Sequence, residues 1–206
     1  MKIIESSPPS PSQIEACTRI FADLFSDEPM YQYIFPDPKT RKEYLTWCAF
    51  RKFKVMQNYS RAFMTEGEVH GYSWWIPSTQ NPGASILQFL MAGFAMAPFK
   101  MGPGAFKRMI ACSDHEKQFL KSVLNTPHWV LDVIATSSTV QRQGLGGKLL
   151  APGFEEADRS KLPVYVLTHN PRNVGFYEKY GFKLDRTEKM AGTDLTAYGL
   201  RKQARA

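Results

Sequence analysis

The sequence predicts an α+β domain, in which short apolar strands alternate with helices. Three observations carry this. Residues 128–150, HWVLDVIATSSTVQRQGLGGKLL, run from an apolar strand through a glycine loop into a helical pattern. Two proline-led helix starts, Ser10-Pro11 and Asp37-Pro38, place a capping side chain before proline at the first helical position. Two strand-like runs, Ser60–Thr65 and Val69–Ile76, lie either side of Gly67. A chain of 206 residues suits one domain, here taken as 1–206, with room for an insertion.

In chain order, Lys2–Glu5 reads as a first strand. The helix opened by Ser10 sets Ile14, Cys17, Phe21, Leu24 and Phe25 on one face. The helix opened by Asp37 runs to about Gln57, with Leu45, Cys48, Ala49 and Met56 inward. Trp74 and Trp75 close the strand pair, one suited to the core and the other to a pocket wall. Residues 78–112 read as a helical insertion, strongly apolar over Ser85–Phe99 and punctuated by Pro82, Gly83, Pro98, Gly102, Pro103 and Gly104. It serves as core, as the wall of an apolar substrate pocket, or as a partner or membrane face. Trp74, Trp75 and Phe94 are the candidate substrate contacts. Ser113-Asp114 reads as the cap of a further helix to about Leu124, and Asn125-Thr126-Pro127 as a turn. After the glycine loop a helix runs to about Arg159. Pro163–His169 reads as a buried strand, Asn173–Tyr180 as a short helix, and Gly181–Leu184 and Leu195–Leu200 as closing strands.

Composition narrows the function. The net charge of +7 permits an acidic partner, whether nucleic acid, anionic membrane or anionic cofactor, without choosing among them. The densest basic stretch, Lys39–Lys54, mixes its cations with Tyr44, Trp47, Phe50 and Phe53, the pattern of an amphipathic helix with a solvated face. No recognition motif accompanies the charge, so nucleic acid is not the expected partner. Three scattered cysteines suggest no disulfide framework and an intracellular, cytoplasmic or nuclear, location. No apolar run suits a signal peptide or a membrane span. The four histidines lack metal-ligand spacing, so no metal is expected.

The glycine loop carries the chemistry. A helix's first turn leaves backbone N–H groups without intrahelical partners, and the helix dipole adds positive potential there. Glycines at 144, 146 and 147 let a phosphate approach the backbone. The dinucleotide fingerprint fails because its closing position is Leu149, and the P-loop fails because Lys148 is followed by Leu149. What remains is Q-x-x-G-x-G from Gln141 to Gly146, or a glycine-rich turn with no ligand.

Q-x-x-G-x-G resembles the acyl-CoA loop of the GNAT acetyltransferases. About thirty residues on, Asn170–Phe182 (NPRNVGFYEKYGF) resembles the N-x-x-x-[FY]-Y-x-x-x-G-F ending of the same enzymes. The stretch between, with His128-Trp129, is similar to the puromycin N-acetyltransferase-like branch. The resemblance covers about residues 113–185 and extends to 60–77.

It implies a GNAT fold: a central mixed, mostly antiparallel sheet, splayed where acyl-CoA lies and flanked by helices. It implies acetyl-CoA as cofactor, held by Ile134, Ala135, Thr136, Gln141, Arg142, Gln143, Gly144, Leu145, Gly146, Gly147, Lys148, Asn170, Asn173 and Tyr177. The arm would pair with backbone groups of Ile134 and Thr136 and contact Asn173, the pyrophosphate would take N–H groups from Arg142 to Gly147, and Arg142 and Lys148 would assist the 3′-phosphate or stay solvated. Tyr177 would face the thioester sulfur as proton donor.

The implied activity is a direct N-acetyl transfer to the primary amine of a small molecule, of a detoxification or secondary-metabolite kind, by a monomer or homodimer. A protein or histone lysine acetyltransferase and a non-catalytic acyl-CoA sensor are the alternatives. Two positions depart from the branch: Ser138 stands where proline is usual, and Tyr165-Val166-Leu167 stands where Y-L-E is usual, so the acidic residue is missing. His169 is the first candidate for the base, because imidazole titrates near neutrality. Glu68, His70 and Glu116 are the others.

Overall fold

The computed structural model describes residues 1–77, 86–123 and 126–205. Among these residues, seven strands form one open sheet in the order β1-β2-β3-β4-β5-β7-β6. They are β1 (Ile3–Glu5), β2 (Arg61–Thr65), β3 (Gly71–Pro77), β4 (Trp129–Thr136), β5 (Val164–Thr168), β6 (Lys183–Lys189) and β7 (Thr196–Lys202). Neighbours run antiparallel except β4 and β5, which are parallel. The helices are α1 (Pro11–Phe25), α2 (Pro29–Ile34), α3 (Pro38–Met56), α4 (Ile86–Met91), α5 (Ala97–Val123), α6 (Leu145–Ser160) and α7 (Pro171–Glu178). This is the mixed, mostly antiparallel sheet flanked by helices that the motifs implied.

The helix starts have their local causes. Ser10 Oγ accepts from the Gln13 N–H at 3.3 Å while the Gln13 side chain accepts from the Ser10 N–H at 2.8 Å, a capping box worth about 1 kcal/mol. Asp37 accepts from the Lys39 N–H at 3.0 Å, with Pro38 at the first helical position of α3. Helix α2 was not expected. Its six residues are too few to show a periodicity, although Glu28-Pro29 is again a proline-led start.

Residues 78–85, with Pro82 and Gly83 of the expected insertion, lie outside the described residues, as does Asn125. Beyond them come α4, a 3₁₀ turn at Phe94–Met96, and α5. Helix α5 breaks at Gly102, whose φ is 80°, just before Pro103. It then runs straight through Ser113-Asp114. That pair therefore sits inside a helix and starts none, because no chain reversal precedes it.

The core lies on both faces of the sheet. On one, α1 and α3 pack against Trp74, Val133 and Ala135, with the Phe53 ring stacked on Trp74 at 5.1 Å. On the other, α6 and α7 pack against Trp75, Leu131 and Val166. A Cβ on Gly153 would lie 2.1 Å from the Trp75 indole, so α6 seats on β3 only because residue 153 is glycine. Trp74 and Trp75 are both 0% exposed. Adjacent strand residues point to opposite faces, and both faces are covered here, so the pair supplies core to each side and no pocket wall. Strand β6 runs further than Gly181–Leu184 suggested. Its sequence KLDRTEK has no apolar alternation, and its charges suit an exposed sheet edge.

Candidate active site

The site begins with an irregularity in β4. Trp129 and Leu131 belong to the α6–α7 side of the core, whereas Val133 and Ala135 belong to the α1–α3 side. In a regular strand residues two apart share a face. The register passes from Trp75↔Leu131 to Trp74↔Val133, which leaves Asp132 as the extra residue of a β-bulge.

The bulge re-aims the backbone as well. Before it, the Trp129 N–H donates to the Pro163 carbonyl at 2.8 Å, so odd residues face β5. After it, the Ser137 N–H donates to the His70 carbonyl at 2.7 Å, so odd residues face β3. Ile134 and Thr136 therefore turn their N–H and C=O groups toward the β5 side. Pairing with β5 has already ended at Leu131↔Val166, while β5 continues with β7 through Leu167↔Gly199 and Thr168↔Tyr198. The sheet is thus splayed at this point. A cavity of about 750 Å³ fills the gap, lined by Val130–Thr136 on one side and Leu167–His169 on the other.

The N-terminus of α6 closes one end of this cleft. Gly144, with φ 74°, is its N-cap, and Arg142 before it has φ 62°. The Lys148 N–H is the first to reach back into the helix, to the Gly144 carbonyl at 3.4 Å. The amides of Leu145, Gly146 and Gly147 are the helix's first-turn donors, and Leu145 and Gly146 line the cleft. The three glycines serve different ends. A Cβ at Gly144 would meet nothing within 4 Å, so its need is the left-handed turn. A Cβ at Gly146 would lie 3.2 Å from the Phe176 ring, and one at Gly147 2.9 Å from the Tyr180 ring. Those two let α7 approach α6, in addition to leaving the backbone open. Open strand groups leading to an uncovered helix N-terminus fit a long thioester carrier ending in phosphates.

Of the residues expected to hold the cofactor, Ile134, Ala135, Thr136, Gln141, Arg142, Gly144, Leu145, Gly146, Asn173 and Tyr177 line the cleft; Gln143, Gly147, Lys148 and Asn170 do not. Gln143 and Lys148 are exposed beside it. Gln141 turns back, its carboxamide donating to the Thr136 carbonyl at 3.4 Å. Asn173 donates to Thr168 Oγ1 at 3.1 Å. Asn170 caps α7 by accepting from the Arg172 N–H, and donates to Glu28 Oε1 at 3.0 Å. Phe94 also leaves the site: it packs edge-on against Trp47 of α3 and against Phe89. Glu68 and His70, 3.5 Å from each other, lie outside the cleft lining.

At the other end the cleft is acidic. Glu116 of α5, Asp132 at the bulge and Glu28 before α2 line it with Lys52 of α3 and His169 at the end of β5. Lys52 Nζ is 2.7 Å from Asp132 Oδ2. Burial pushes the Glu116 carboxyl up to about 7; the Lys52 charge works against this and the Asp132 charge adds to it. Burial pushes His169 down to about 4, helped by His115.

The 3.7 Å approach of His169 Nδ1 to Glu116 Oε1 is therefore a neutral imidazole beside a half-ionised carboxyl at pH 7, with no ion pair. A ring that stays unprotonated down to pH 4 is a weak proton acceptor, and Glu116 is the group matched to neutral pH. Tyr177 is 7% exposed. Burial, and then the Glu28 charge, push its phenol well above the usual range, so it stays protonated at neutral pH. Lys52, Asp132, Glu28 and Tyr31 were not singled out in the sequence.

Residues 92–182 match the acetyltransferase (GNAT) family. An uncharacterized N-acetyltransferase of Schizosaccharomyces pombe is 24% identical over 169 residues, covering 78% of this chain and 66% of that one, just under two thirds of its length. Two solved structures share the fold. A Corynebacterium glutamicum protein described as histone acetyltransferase HPA2 and related acetyltransferase superposes with TM-score 0.65 at 16% identity, over 100% of this chain and 97% of that one. Arylalkylamine N-acetyltransferase 2 of Aedes aegypti gives 0.61 at 13% identity, over 100% of both chains. The matched family and these relatives are acetyltransferases, and GNAT acetyltransferases use acetyl-CoA. These neighbours include enzymes named for a protein and for a small-molecule acceptor. Among the described residues no helix is long and apolar enough to cross a membrane.

Proposed function

We propose that this chain moves an acetyl group from acetyl-CoA directly to the primary amine of a small molecule. The observation that carries the reading is the splay at the Asp132 bulge, where open β4 backbone groups join a helix N-terminus at one end to a carboxylate-lined pocket at the other. Bound acetyl-CoA supplies an acetyl group activated as a thioester. The chain's own part is placement and proton traffic.

Backbone groups of Ile134 and Thr136 align the carrier's arm. The first-turn amides of α6 and the Arg142 guanidinium hold its phosphates. With acetyl-CoA bound, a backbone N–H of the Ile134 strand would be the donor available to the thioester carbonyl oxygen. An alkylammonium loses its proton only near pH ~10 in water, so an acceptor must be close by at neutral pH. Glu116 takes that proton, and Tyr177 Oη gives one to the departing sulfur. Among the described residues no cysteine lines the cleft, which suits direct transfer over an acyl-enzyme. The motifs also support a likeness to the puromycin N-acetyltransferase-like branch.

Calorimetry with acetyl-CoA, followed by thiol release in the presence of small amines, tests the proposal. Tight binding with amine-dependent release is expected. Binding without release from any amine would leave an acyl-CoA sensor.

A further inference from the structure

The acceptor end of the cleft differs in character from wall to floor. The wall belongs to α1 and α2 and is apolar: Phe21, Leu24, Phe25 and Met30, with Tyr31. Phe21 and Phe25 are stacked at 4.2 Å and 9°, and Tyr31 stands edge-on to both at 5.6 and 6.1 Å. The wall is held in place from both sides. The Arg41 guanidinium donates to the carbonyls of Ser26, Phe35 and Pro36 at 3.1, 2.6 and 2.9 Å. Arg108 donates twice to the Ile34 carbonyl, at 3.0 and 2.9 Å. A clamped aromatic surface is a preformed site for a flat apolar body, with little ordering left to do on binding.

The floor's carboxylates are held unequally. Asp132 pairs with Lys52, and one Glu28 oxygen accepts from the neutral Asn170 amide, which fixes that carboxylate without cancelling its charge. Among the described residues Glu116 has no lysine or arginine within 4.0 Å; its near neighbour is the neutral His169 ring, with the Lys52 charge acting from further off. Glu116 is thus the carboxyl open to an incoming amine. A second ammonium set along Phe21, Phe25 and Met30 would lose its water against apolar rings. A lysine-bearing peptide would set polar backbone against the same rings.

We infer that the acceptor is a monoamine carried on an apolar ring, the ring lying along Phe25, Met30 and Tyr31 and the amino group at Glu116. This rests on the acetyl-transfer reading and narrows it.

The test uses the whole chain with 2-phenylethylamine, n-butylamine, spermidine, an aminoglycoside and a lysine peptide. It reads acetyl-CoA affinity by calorimetry, 2-phenylethylamine binding by calorimetry, and thiol release. The expected result is a kcat/KM for 2-phenylethylamine at least tenfold above that of every other probe. Phe25→Ala should raise its KM and its Kd about tenfold with kcat and acetyl-CoA affinity little changed. Met30→Ala gives a second reading of the same wall should Phe25→Ala fail to fold.

Normal acetyl-CoA binding with spermidine, the aminoglycoside or the peptide preferred, or with no preference, overturns this inference and leaves the acetyl-transfer reading standing. Normal acetyl-CoA binding with no amine acetylated overturns both. Failure to bind acetyl-CoA removes the acetyl-transfer reading, and this inference with it.

Discussion

Replacing Glu116 by glutamine removes the proposed base and keeps the side chain's shape. Removing a positioned base costs about 10²–10⁴ in rate, roughly 3–5 kcal/mol on the barrier. The wild-type carboxyl titrates at about 7 in the fold. Its kcat/KM should therefore rise through an acid limb near pH 7, and Glu116→Gln should lose the limb together with the rate, while acetyl-CoA affinity holds. A survey of kcat/KM from pH 5.5 to about 9 reads both.

The same substitution has a stability signature that reports the carboxyl's upward shift directly. The folded group holds its proton more tightly than an ordinary carboxyl at 4.5. Below pH 4.5 both folded and unfolded chains are protonated and the group is neutral in effect. Between 4.5 and 7 the unfolded chain gives up its proton first, so wild-type stability falls as pH rises, and the loss is complete above 7. The raised value corresponds to about 3 kcal/mol at most, which solvent screening of a side chain 33% exposed brings to about 1–2 kcal/mol. Glu116→Gln should gain that margin in urea at pH 8 and lose it at pH 4. A limb near pH 7 that survives in the variant, with a rate within threefold of wild type, would refute the reasoning.

Gly146→Asp puts a negative charge at the helix N-terminus and a Cβ 3.2 Å from Phe176, and calorimetry should show acetyl-CoA affinity weakened by about 10² or more. Tyr177→Phe should lower kcat about 10² with acetyl-CoA affinity unchanged; an unchanged kcat would remove its role as acid. Lys52→Met takes away the charge that opposes Glu116's upward shift and leaves Asp132 alone, so the acid limb of kcat/KM should move above pH 7. Gly153→Ala forces a Cβ to within 2.1 Å of Trp75 and should cost about 1–3 kcal/mol in urea unfolding.

What the sequence made legible follows the range of each signal. The strand, glycine loop and helix of 128–150 are contiguous, and their chemistry is local, so they could be read directly. The bulge left a trace: Asp132 is the one charge within Trp129–Thr136, though a single charge says nothing of register. His169 could be named because it ends a strand directly before the Asn170 motif, but nothing in the sequence sets Glu116 beside it. Only the packing of α5 beside β5 brings them together, and only burial moves them in opposite directions. Trp74 and Trp75 misled because a large aromatic near a strand's end suits a pocket as well as a core, and the choice depends on what covers each face. Helix α2, which carries Met30 and Tyr31 into the wall, is too short for its pattern to be seen.

Amide hydrogen exchange at Ile134, Thr136 and Leu145–Gly147, measured with and without acetyl-CoA, tests the central claim most directly. The splayed cleft predicts that exchange slows at these amides together when acetyl-CoA binds. Saturating acetyl-CoA that leaves them unchanged, or protects another surface in their place, would contradict it.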